Sequence, residues 1–388
     1  MDYGFSAAAF SFRTDNSSKP APSRQRGWWT SSHADASEST GEENYSSCLK
    51  SRPSRRPSRS YGYTLSEAPT EDMVPGHTVL EVLVNTLQRA ELPGPAILMH
   101  DPDPLGDGGQ FKVCKQRMVS FDREGCWIQV VAVKTPKFPY NYDIKLDLAS
   151  HDVRKHLNHV YNEIKALTTE SLKHHPNIVR LFSWSRESYE WHSPLVLILE
   201  LAVSNLAEFL DLGTEVPVDL KISTSLDIAS GLEAIHRCRI IHGDLKPINV
   251  LIFEGMKRPV AKLADFGVST EDGVQILGGT PEWQAPELRF AGLSTSTDLY
   301  SADRFSYGLV LWSIFYHYGR LPENFQVKDL LNSAKADLEN DHNLVSALEQ
   351  DLGLLLQEFP HARPESLVNL SLYTVEESFK SDTEGAEE

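Results

Sequence analysis

The residues whose types and spacing could support chemistry are concentrated in two short stretches of the chain. Residues 241–252 read IHGDLKPINVLI, and residues 262–268 read KLADFGV. A carboxylate can accept a proton, and an ammonium group can offset developing negative charge. Carboxylate and amide oxygens are the hard donors that Mg²⁺ prefers. Taken singly, each stretch also has a plain structural alternative, a turn between two buried strands.

In order and spacing, these residues resemble the catalytic segments of eukaryotic protein kinases of the serine/threonine type. Residues 242–244 stand where that family carries His-Arg-Asp, although Gly243 replaces the arginine. Lys246 and Asn249 follow at the family's spacing, and residues 265–267 are its Asp-Phe-Gly element. The two stretches together, in this order, favour this interpretation over a pair of unrelated turns.

The resemblance implies a role for each residue in the transfer of a phosphoryl group from ATP. Asp244 would accept the proton of the incoming hydroxyl, and Lys246 would offset negative charge on the γ-phosphoryl group. Asn249 and Asp265 would supply oxygen ligands to Mg²⁺, which is the expected cofactor alongside ATP. Because this reaction leaves little covalent chemistry to the protein, catalysis would depend on positioning and charge.

A second group of residues resembles the ATP-binding strand and helix of the same family. Residues 131–134 read Val-Ala-Val-Lys, and the resemblance implies that Lys134 contacts the α- and β-phosphates and pairs with Glu163. A solvated lysine and a surface glutamate are the structural alternatives. Leu167, on the same side of the predicted helix, and the sequence HPNIV at residues 175–179 favour the pairing.

The glycine-rich loop is the weakest of the matches. Gly106 and Gly108 fit the family's pattern, but Phe111 stands where the pattern has its third glycine. Since glycines let backbone amides approach phosphates closely, the bulkier tip is expected to weaken nucleotide binding. A plain glycine-rich hairpin turn is the alternative. The long interval from Val113 to Lys134 predicts an extended hairpin.

The resemblance also implies which residues surround the adenine of ATP. Two apolar layers, a gatekeeper side chain and two hinge residues with backbone hydrogen bonds are expected. The apolar layers are expected to be formed by Val113, Ala132 and Leu251. Leu199 is the expected gatekeeper, and the expected hinge residues are Glu200 and Ala202.

The matches continue beyond the catalytic residues. Residues 279–287, GTPEWQAPE, resemble the segment that positions the peptide substrate, and Asp303 begins a segment that supports the catalytic loop in kinases. Arg363 is the expected ion partner of the glutamate that ends the first of these segments. Lys246 followed by proline, and Thr280, are the serine/threonine form of the motifs, so serine and threonine are the expected acceptors.

Two departures from the family pattern affect the expected regulation and specificity. Gly243 replaces an arginine that contacts a phosphorylated activation loop in many kinases, so activity is predicted not to depend on such phosphorylation. Ser269 and Thr270 are the candidate acceptors there. Ile248 replaces a glutamate with which basophilic kinases recognise arginine, which argues against a preference for basic substrates.

Two other functions are compatible with these motifs. The first is a pseudokinase that acts as a nucleotide-binding scaffold, although Lys134, Asp244 and Asp265 are all present. The second is a small-molecule phosphotransferase, since His-Gly-Asp followed by Asn is also typical of aminoglycoside-type kinases. Those enzymes lack the Ala-Pro-Glu segment found here at residues 285–287.

The composition limits the partners and the compartment. The net charge is −17, which argues against nucleic-acid binding and against adhesion to anionic membranes. The four cysteines fit neither a metal site nor a disulfide framework, and neither a secretory signal nor a membrane-spanning run is apparent. The cytoplasm or the nucleus is therefore expected, with ATP and a protein substrate as partners. The oligomeric state is not indicated.

The resemblance to kinases, together with the elements that must position these residues, implies an α+β fold with two lobes. Residues 1–75 are predicted to be a disordered tail with a basic Ser/Pro patch, residues 76–375 a kinase domain, and residues 376–388 a loose acidic tail. Within the domain, a β-rich N-lobe at about 94–200 precedes a helical C-lobe at about 201–372. Apolar periodicity predicts helices near 79–87, 157–167, 206–212, 220–236, 303–316 and 327–356, and a buried strand at 195–199.

Overall fold

The structure of the chain is a computed structural model. It describes residues 79–92, 94–99, 101–108, 111–121, 125–137, 151–186, 195–213, 215–271, 279–289, 296–333 and 341–384. The predicted N-terminal tail and its basic patch lie outside these residues, as does the tip of the glycine-rich loop at 109–110.

An antiparallel sheet forms the N-lobe, in the spatial order β1-β3-β4-β6-β5, and β2 also pairs with β3. The bulk of the sheet is the hairpin of the two longest strands, which confirms the predicted extended hairpin. The strands are β1 (Ile97–Leu98), β2 (Asp103–Asp107), β3 (Phe111–Phe121), β4 (Cys126–Pro136), β5 (Leu181–Arg186) and β6 (Leu195–Leu199).

Two helices complete the N-lobe, α1 (Val79–Arg89) and α2 (His151–Thr168). Leu157, Val160 and Ile164 recur at helical spacing along α2 and are fully or almost fully buried. This apolar face fixes the rotation of α2, so Glu163 is also buried beneath the sheet.

The C-lobe is mainly helical, as predicted. Its helices are α3 (Leu206–Leu210), α4 (Val218–Arg237), α5 (Ser296–Tyr316), α6 (Val327–Ser333), α7 (His342–Leu355) and α8 (Ser371–Glu384). Short strands pair beside them in the order β10-β9-β7 and as β11-β8. These strands are β7 (Ser204–Asn205), β8 (Ile240–Ile241), β9 (Val250–Phe253), β10 (Val260–Leu263) and β11 (Thr270–Glu271).

One continuous apolar core runs through both lobes, and it includes Ile164, Leu199, Phe266 and Trp312. A smaller cluster, with Val131 and Ile198, packs separately. Together with the sheet and the helical lobe, this core confirms the predicted bilobal α+β architecture.

Two predictions about the C-terminal part were wrong. The apolar periodicity at 327–356 does not form one helix, because Asp341 begins α7 by accepting the amides of Asn343 and Leu344 at 3.1 Å. The tail is not loose immediately after Val375 either, since α8 continues to Glu384.

The first turn of α8 is stabilised from elsewhere in the chain. The Asp351 carboxylate accepts the backbone amides of Ser371 at 2.7 Å and Leu372 at 3.0 Å. These amides have no partner within their own helix, so a remote carboxylate can fix where the helix begins.

Within the described part of the chain, we find no helix that combines the length and apolar character needed to cross a membrane.

Candidate active site

Strand register brings the residues predicted to bind the nucleotide onto one face of the N-lobe sheet. Val113 pairs with Lys134, and Ala132 pairs with Leu199. Paired residues of an antiparallel sheet point to the same side, as do residues two apart on one strand. These four side chains therefore share the face that looks onto the C-lobe. Gly106 of β2 lies opposite Val113 at the edge of this face.

Lys134 forms two ion pairs within this cleft. Its Nζ lies 2.8 Å from Glu163 Oε1 and 2.9 Å from Asp265 Oδ1. Burial alone disfavours the ammonium form, but the charges of Asp265 and Glu163 outweigh it and raise the pKa of Lys134. Lys134 is therefore a permanent cation between the two lobes.

Asp265 faces the open cleft with a constrained backbone. Its φ of 63° is in the left-handed region, which aspartate tolerates better than most residues. Burial would raise the pKa of this carboxyl, but the Lys134 ammonium holds it below its usual range. Since 47% of the side chain is exposed, an ionised carboxylate is presented to whatever enters the cleft.

The loop that follows β8 brings Asp244, Lys246 and Asn249 together. Lys246 Nζ lies 2.8 Å from Asp244 Oδ2, and the Asn249 amide donates to the same oxygen at 3.1 Å. Asn249 also donates to the Asp244 carbonyl at 2.8 Å, which fixes its side chain within the loop. Asp244 Oδ1 is buried and has no hydrogen-bond partner among the described residues. The loop thus offers one carboxylate oxygen that is positioned but unused.

Lys246 connects this loop to the segment that follows it in the cleft. Its ammonium also donates to Thr280 Oγ1 at 2.5 Å. Gly279 lies against the loop as well, since a methyl group there would be 2.8 Å from the Gly243 carbonyl. The segment at 279–287 therefore packs directly beside Asp244.

A buried carboxylate at the centre of α5 supports the loop from below, as the sequence predicts. Asp303 accepts the backbone amides of His242 at 2.7 Å and Gly243 at 2.9 Å, and it pairs with His236 at 2.9 Å. Burial would raise the pKa of Asp303, but the hydrogen bond and charge of His236 hold it lower. Gly243 has a φ of 76°, a conformation that suits glycine better than the arginine it replaces.

The candidate phosphorylation sites in the activation segment are both buried. Ser269 is 3% exposed and donates its hydroxyl to the Phe266 carbonyl at 2.7 Å. Thr270 is 8% exposed and pairs with Ile241 between β11 and β8. Sequence reasoning missed Asn162, whose side chain donates to the Ser269 carbonyl at 2.7 Å and links α2 to this segment.

The hinge is held by an ion pair that the sequence did not predict. Both carboxylate oxygens of Glu200 contact Lys262 Nζ, at 2.8 and 2.7 Å, and one of them accepts the Arg180 amide. The Glu200 amide donates to the Arg180 carbonyl. Glu200 can therefore offer a nucleotide its carbonyl, while Ala202 lies two residues further along the hinge. Leu251 of β9 packs at the edge of the core below.

Arg363 and Glu287 form the predicted ion pair in the C-lobe. Two parallel bonds of 2.5 and 2.9 Å join the guanidinium to the carboxylate. Arg363 also donates to the Ser301 carbonyl, and its side chain is almost entirely buried. The pair fixes the end of the segment at 279–287.

Phe111 lies inside the cleft. The ring centroid is 4.2 Å from Lys134 Nζ, and the residue is only 7% exposed. Lys137 holds the neighbouring loop, since it donates to the Gly108 carbonyl at 2.6 Å and pairs with Asp107.

The donors in the cleft suit Mg²⁺ and a nucleotide. Asp265 presents a carboxylate, and Asn249 has its amide nitrogen engaged by Asp244, which leaves its oxygen for a cation. Both are hard oxygen donors, and Lys134 supplies the nearby positive charge. Among the described residues there is no cluster of three or more His, Cys, Asp or Glu side chains with metal-site geometry.

Comparison with known proteins agrees with this geometry. The family model described as protein kinase domain matches residues 129–368, more than half of the chain. The chain is 27% identical over 249 residues to mitogen-activated protein kinase kinase kinase ANP1 of Arabidopsis thaliana, covering 61% of this chain and 34% of that protein. It is 30% identical over 223 residues to the calcium and calcium/calmodulin-dependent serine/threonine-protein kinase DMI-3 of Medicago truncatula, covering 54% and 41%.

A third relative is the proto-oncogene serine/threonine-protein kinase mos of Rattus norvegicus, 32% identical over 160 residues, covering 36% of this chain and 45% of that protein. The chain spans less than half the length of each of these relatives.

Proposed function

We propose that this chain, which belongs to the protein kinase domain family, transfers the γ-phosphoryl group of ATP to serine and threonine hydroxyls of protein substrates. The observation that carries the proposal is the arrangement in one cleft of Asp244, with a free buried oxygen, and Lys134, paired with Asp265. These groups supply a proton acceptor, a fixed cation and an ionised carboxylate. Phosphoryl transfer depends almost entirely on such positioning and on electrostatic stabilisation by the protein.

Asp244 is the proposed catalytic base. Lys246 and Asn249 both contact its Oδ2, so Oδ1 is the oxygen that remains to accept the proton of an incoming hydroxyl. Lys246 would then offset negative charge as the phosphoryl group moves. Because Lys246 also contacts Thr280, its ammonium is held between the base and the segment that would carry the peptide.

Asn249 and Asp265 are the proposed Mg²⁺ ligands. Mg²⁺ bound there would neutralise negative charge on the phosphates of ATP. Lys134 would contact the α- and β-phosphates, beneath Gly106 and Gly108. Val113, Ala132 and Leu251 would enclose the adenine, with hinge hydrogen bonds from Glu200 and Ala202.

Serine and threonine are the proposed acceptors for two reasons. Lys246 followed by Pro247, together with Thr280, is the serine/threonine form of the motifs, and several similar proteins carry names of serine/threonine kinases. A protein substrate, as opposed to a small molecule, is supported by the segment at 279–287 beside Asp244.

A pseudokinase scaffold is the second candidate function, and one specific observation favours it. The ring of Phe111 covers the ammonium of Lys134, which would otherwise be open to phosphates. A protein that binds nucleotide weakly and does not turn it over would tolerate such a ring.

Phosphoamino-acid analysis tests the proposed acceptor. The purified chain is incubated with labelled Mg-ATP and a generic protein substrate, and with an aminoglycoside in parallel. Label on serine and threonine, and none on the aminoglycoside, is expected. Label on tyrosine alone, or on the small molecule alone, would contradict the proposal.

A further inference from the structure

Phe111 occupies the part of the cleft in which a nucleotide's phosphates would lie. It is two residues before Val113 on β3, so strand alternation points both side chains to the same face as Lys134. The position therefore directs whatever side chain it carries into the cleft. A glycine there leaves the space open, whereas phenylalanine fills it.

The ring reaches from one wall of the cleft to the other. On the N-lobe side, its centroid is 4.2 Å from Lys134 Nζ. On the opposite side, a methyl group at Gly267 would lie 3.6 Å from Phe111 Cε2. The ring thus lies between the lysine of β4 and the Asp-Phe-Gly segment, and only 7% of the residue remains exposed.

Hydrogen bonds hold Gly108, which precedes the tip of the loop, beside Phe111. The Gly108 amide donates to the Phe111 carbonyl at 3.0 Å, and the Gly108 carbonyl accepts from Lys137 at 2.6 Å. Lys137 also pairs with Asp107. Asp107 and Gly108 are therefore engaged with the protein while the ring is inserted.

We propose that Phe111 is a gate on nucleotide binding, whose ring must leave Lys134 before phosphates can contact that ammonium. This inference rests on the proposed function, because it concerns the same nucleotide site. The ring competes with phosphate for one cation, and a desolvated contact between an ammonium and an aromatic face is among the stronger of its kind. Removing the ring should tighten nucleotide binding about tenfold or more.

Titration with a fluorescent ATP analogue in the presence of Mg²⁺ tests the gate directly. The full chain is compared with Phe111→Gly, Phe111→Leu and the control Lys112→Ala, and thermal unfolding verifies that each variant is folded. Lys112 is the adjacent exposed residue of the same strand. We expect Phe111→Gly to bind about tenfold more tightly or better, Phe111→Leu to lie between it and the unmodified chain, and Lys112→Ala to match the unmodified chain.

The outcomes separate the gate from the site itself. If folded Phe111→Gly binds the analogue no more tightly than the unmodified chain, the gate is overturned while the proposed nucleotide site stands. If Phe111→Gly does not fold, Phe111→Leu decides: tighter binding supports the gate, and unchanged binding overturns it. Absence of binding in every folded variant would overturn both the gate and the proposed function.

Discussion

Lys134 of β4 and Glu163 of α2 form a buried ion pair, with Nζ and Oε1 separated by 2.8 Å. This pair connects α2 directly to β4. Asp265 completes the arrangement from the C-lobe at 2.9 Å. The position of α2 is thereby coupled to the two groups proposed to contact nucleotide and metal.

We predict that Glu163→Gln lowers kcat/KM at least tenfold. Lys134 would keep Asp265 but lose the contact that fixes its position, so the ammonium would be misplaced relative to the phosphates. Steady-state kinetics with a protein substrate measure the effect. Glu170→Gln is the matched control, because Glu170 is exposed and contacts only the neighbouring Lys173 among the ion pairs described. An equal loss in both variants would contradict the prediction.

Lys134→Met should destabilise the fold more than Glu163→Gln. Removing the lysine leaves two buried or half-buried carboxylates facing each other, and breaking a buried pair in this way costs about 3–5 kcal/mol. Glu163→Gln leaves Lys134 still paired with Asp265. Chemical denaturation measures the free energy of unfolding, and the reverse order of stabilities would refute this account.

Arg363→Leu is predicted to lower the free energy of unfolding by about 3–5 kcal/mol, because it leaves Glu287 without its bidentate partner. The comparison is Arg320→Leu. Arg320 pairs with Asp211 at the surface, where both side chains are more than half exposed, so its loss should cost roughly 0–1 kcal/mol. Similar losses at the two sites would show that the buried pair contributes little.

Asp303→Asn should reduce stability in a pH-dependent manner. The folded-state pKa of Asp303 is lowered, so its contribution is complete above the unfolded value of about 3.9 and disappears as the pH falls through the folded value. The difference in unfolding free energy between the unmodified chain and Asp303→Asn should therefore be largest near neutral pH and shrink below about pH 4. Asp211→Asn, at an exposed position, serves as the control. A difference that stays constant down to pH 3 would contradict the assignment.

Activity is predicted not to need phosphorylation of the activation segment. Gly243 provides no cation for a phosphate there, and the hydroxyl-bearing residues Ser269 and Thr270 are buried. The double substitution Ser269→Ala and Thr270→Ala should retain most of the activity. Asn162→Ala should lose several-fold or more, because it removes the bond that links α2 to the Ser269 carbonyl. Loss of most activity in the double variant would contradict the prediction that activity does not need phosphorylation of this segment.

The sequence was informative where the chemistry restricts the residue type. Lys134, Asp244 and Asp265 could be proposed from their resemblance to kinase motifs, because few side chains can replace an ammonium or a carboxylate in the reaction that those motifs imply. Glu163 could be assigned because helical spacing places it beside the apolar face that α2 buries. The extended hairpin followed from the long interval between Val113 and Lys134, and the strand at 195–199 followed from an apolar run, which the structure has at Leu195–Leu199.

What the sequence could not predict depends on contacts between distant residues. Asn162 bonds a backbone carbonyl, which any residue possesses, so its partner leaves no trace in the sequence. Glu200 and Lys262 pair only because the hinge and β10 meet in the fold. Asp351 fixes where α8 begins from another helix. The bulk of Phe111 was apparent from the sequence, but its contact with Lys134 was not.

The central claim is that the cleft catalyses phosphoryl transfer with Asp244 as the base. Transfer of labelled γ-phosphate from Mg-ATP to a protein substrate should be measured for the unmodified chain, Asp244→Asn and Lys134→Met, with nucleotide binding followed in parallel. We predict transfer by the unmodified chain and a loss of roughly a hundredfold or more in Asp244→Asn, with nucleotide binding retained. Nucleotide binding without transfer in the unmodified chain, or equal transfer by Asp244→Asn, would contradict the claim and favour the pseudokinase scaffold.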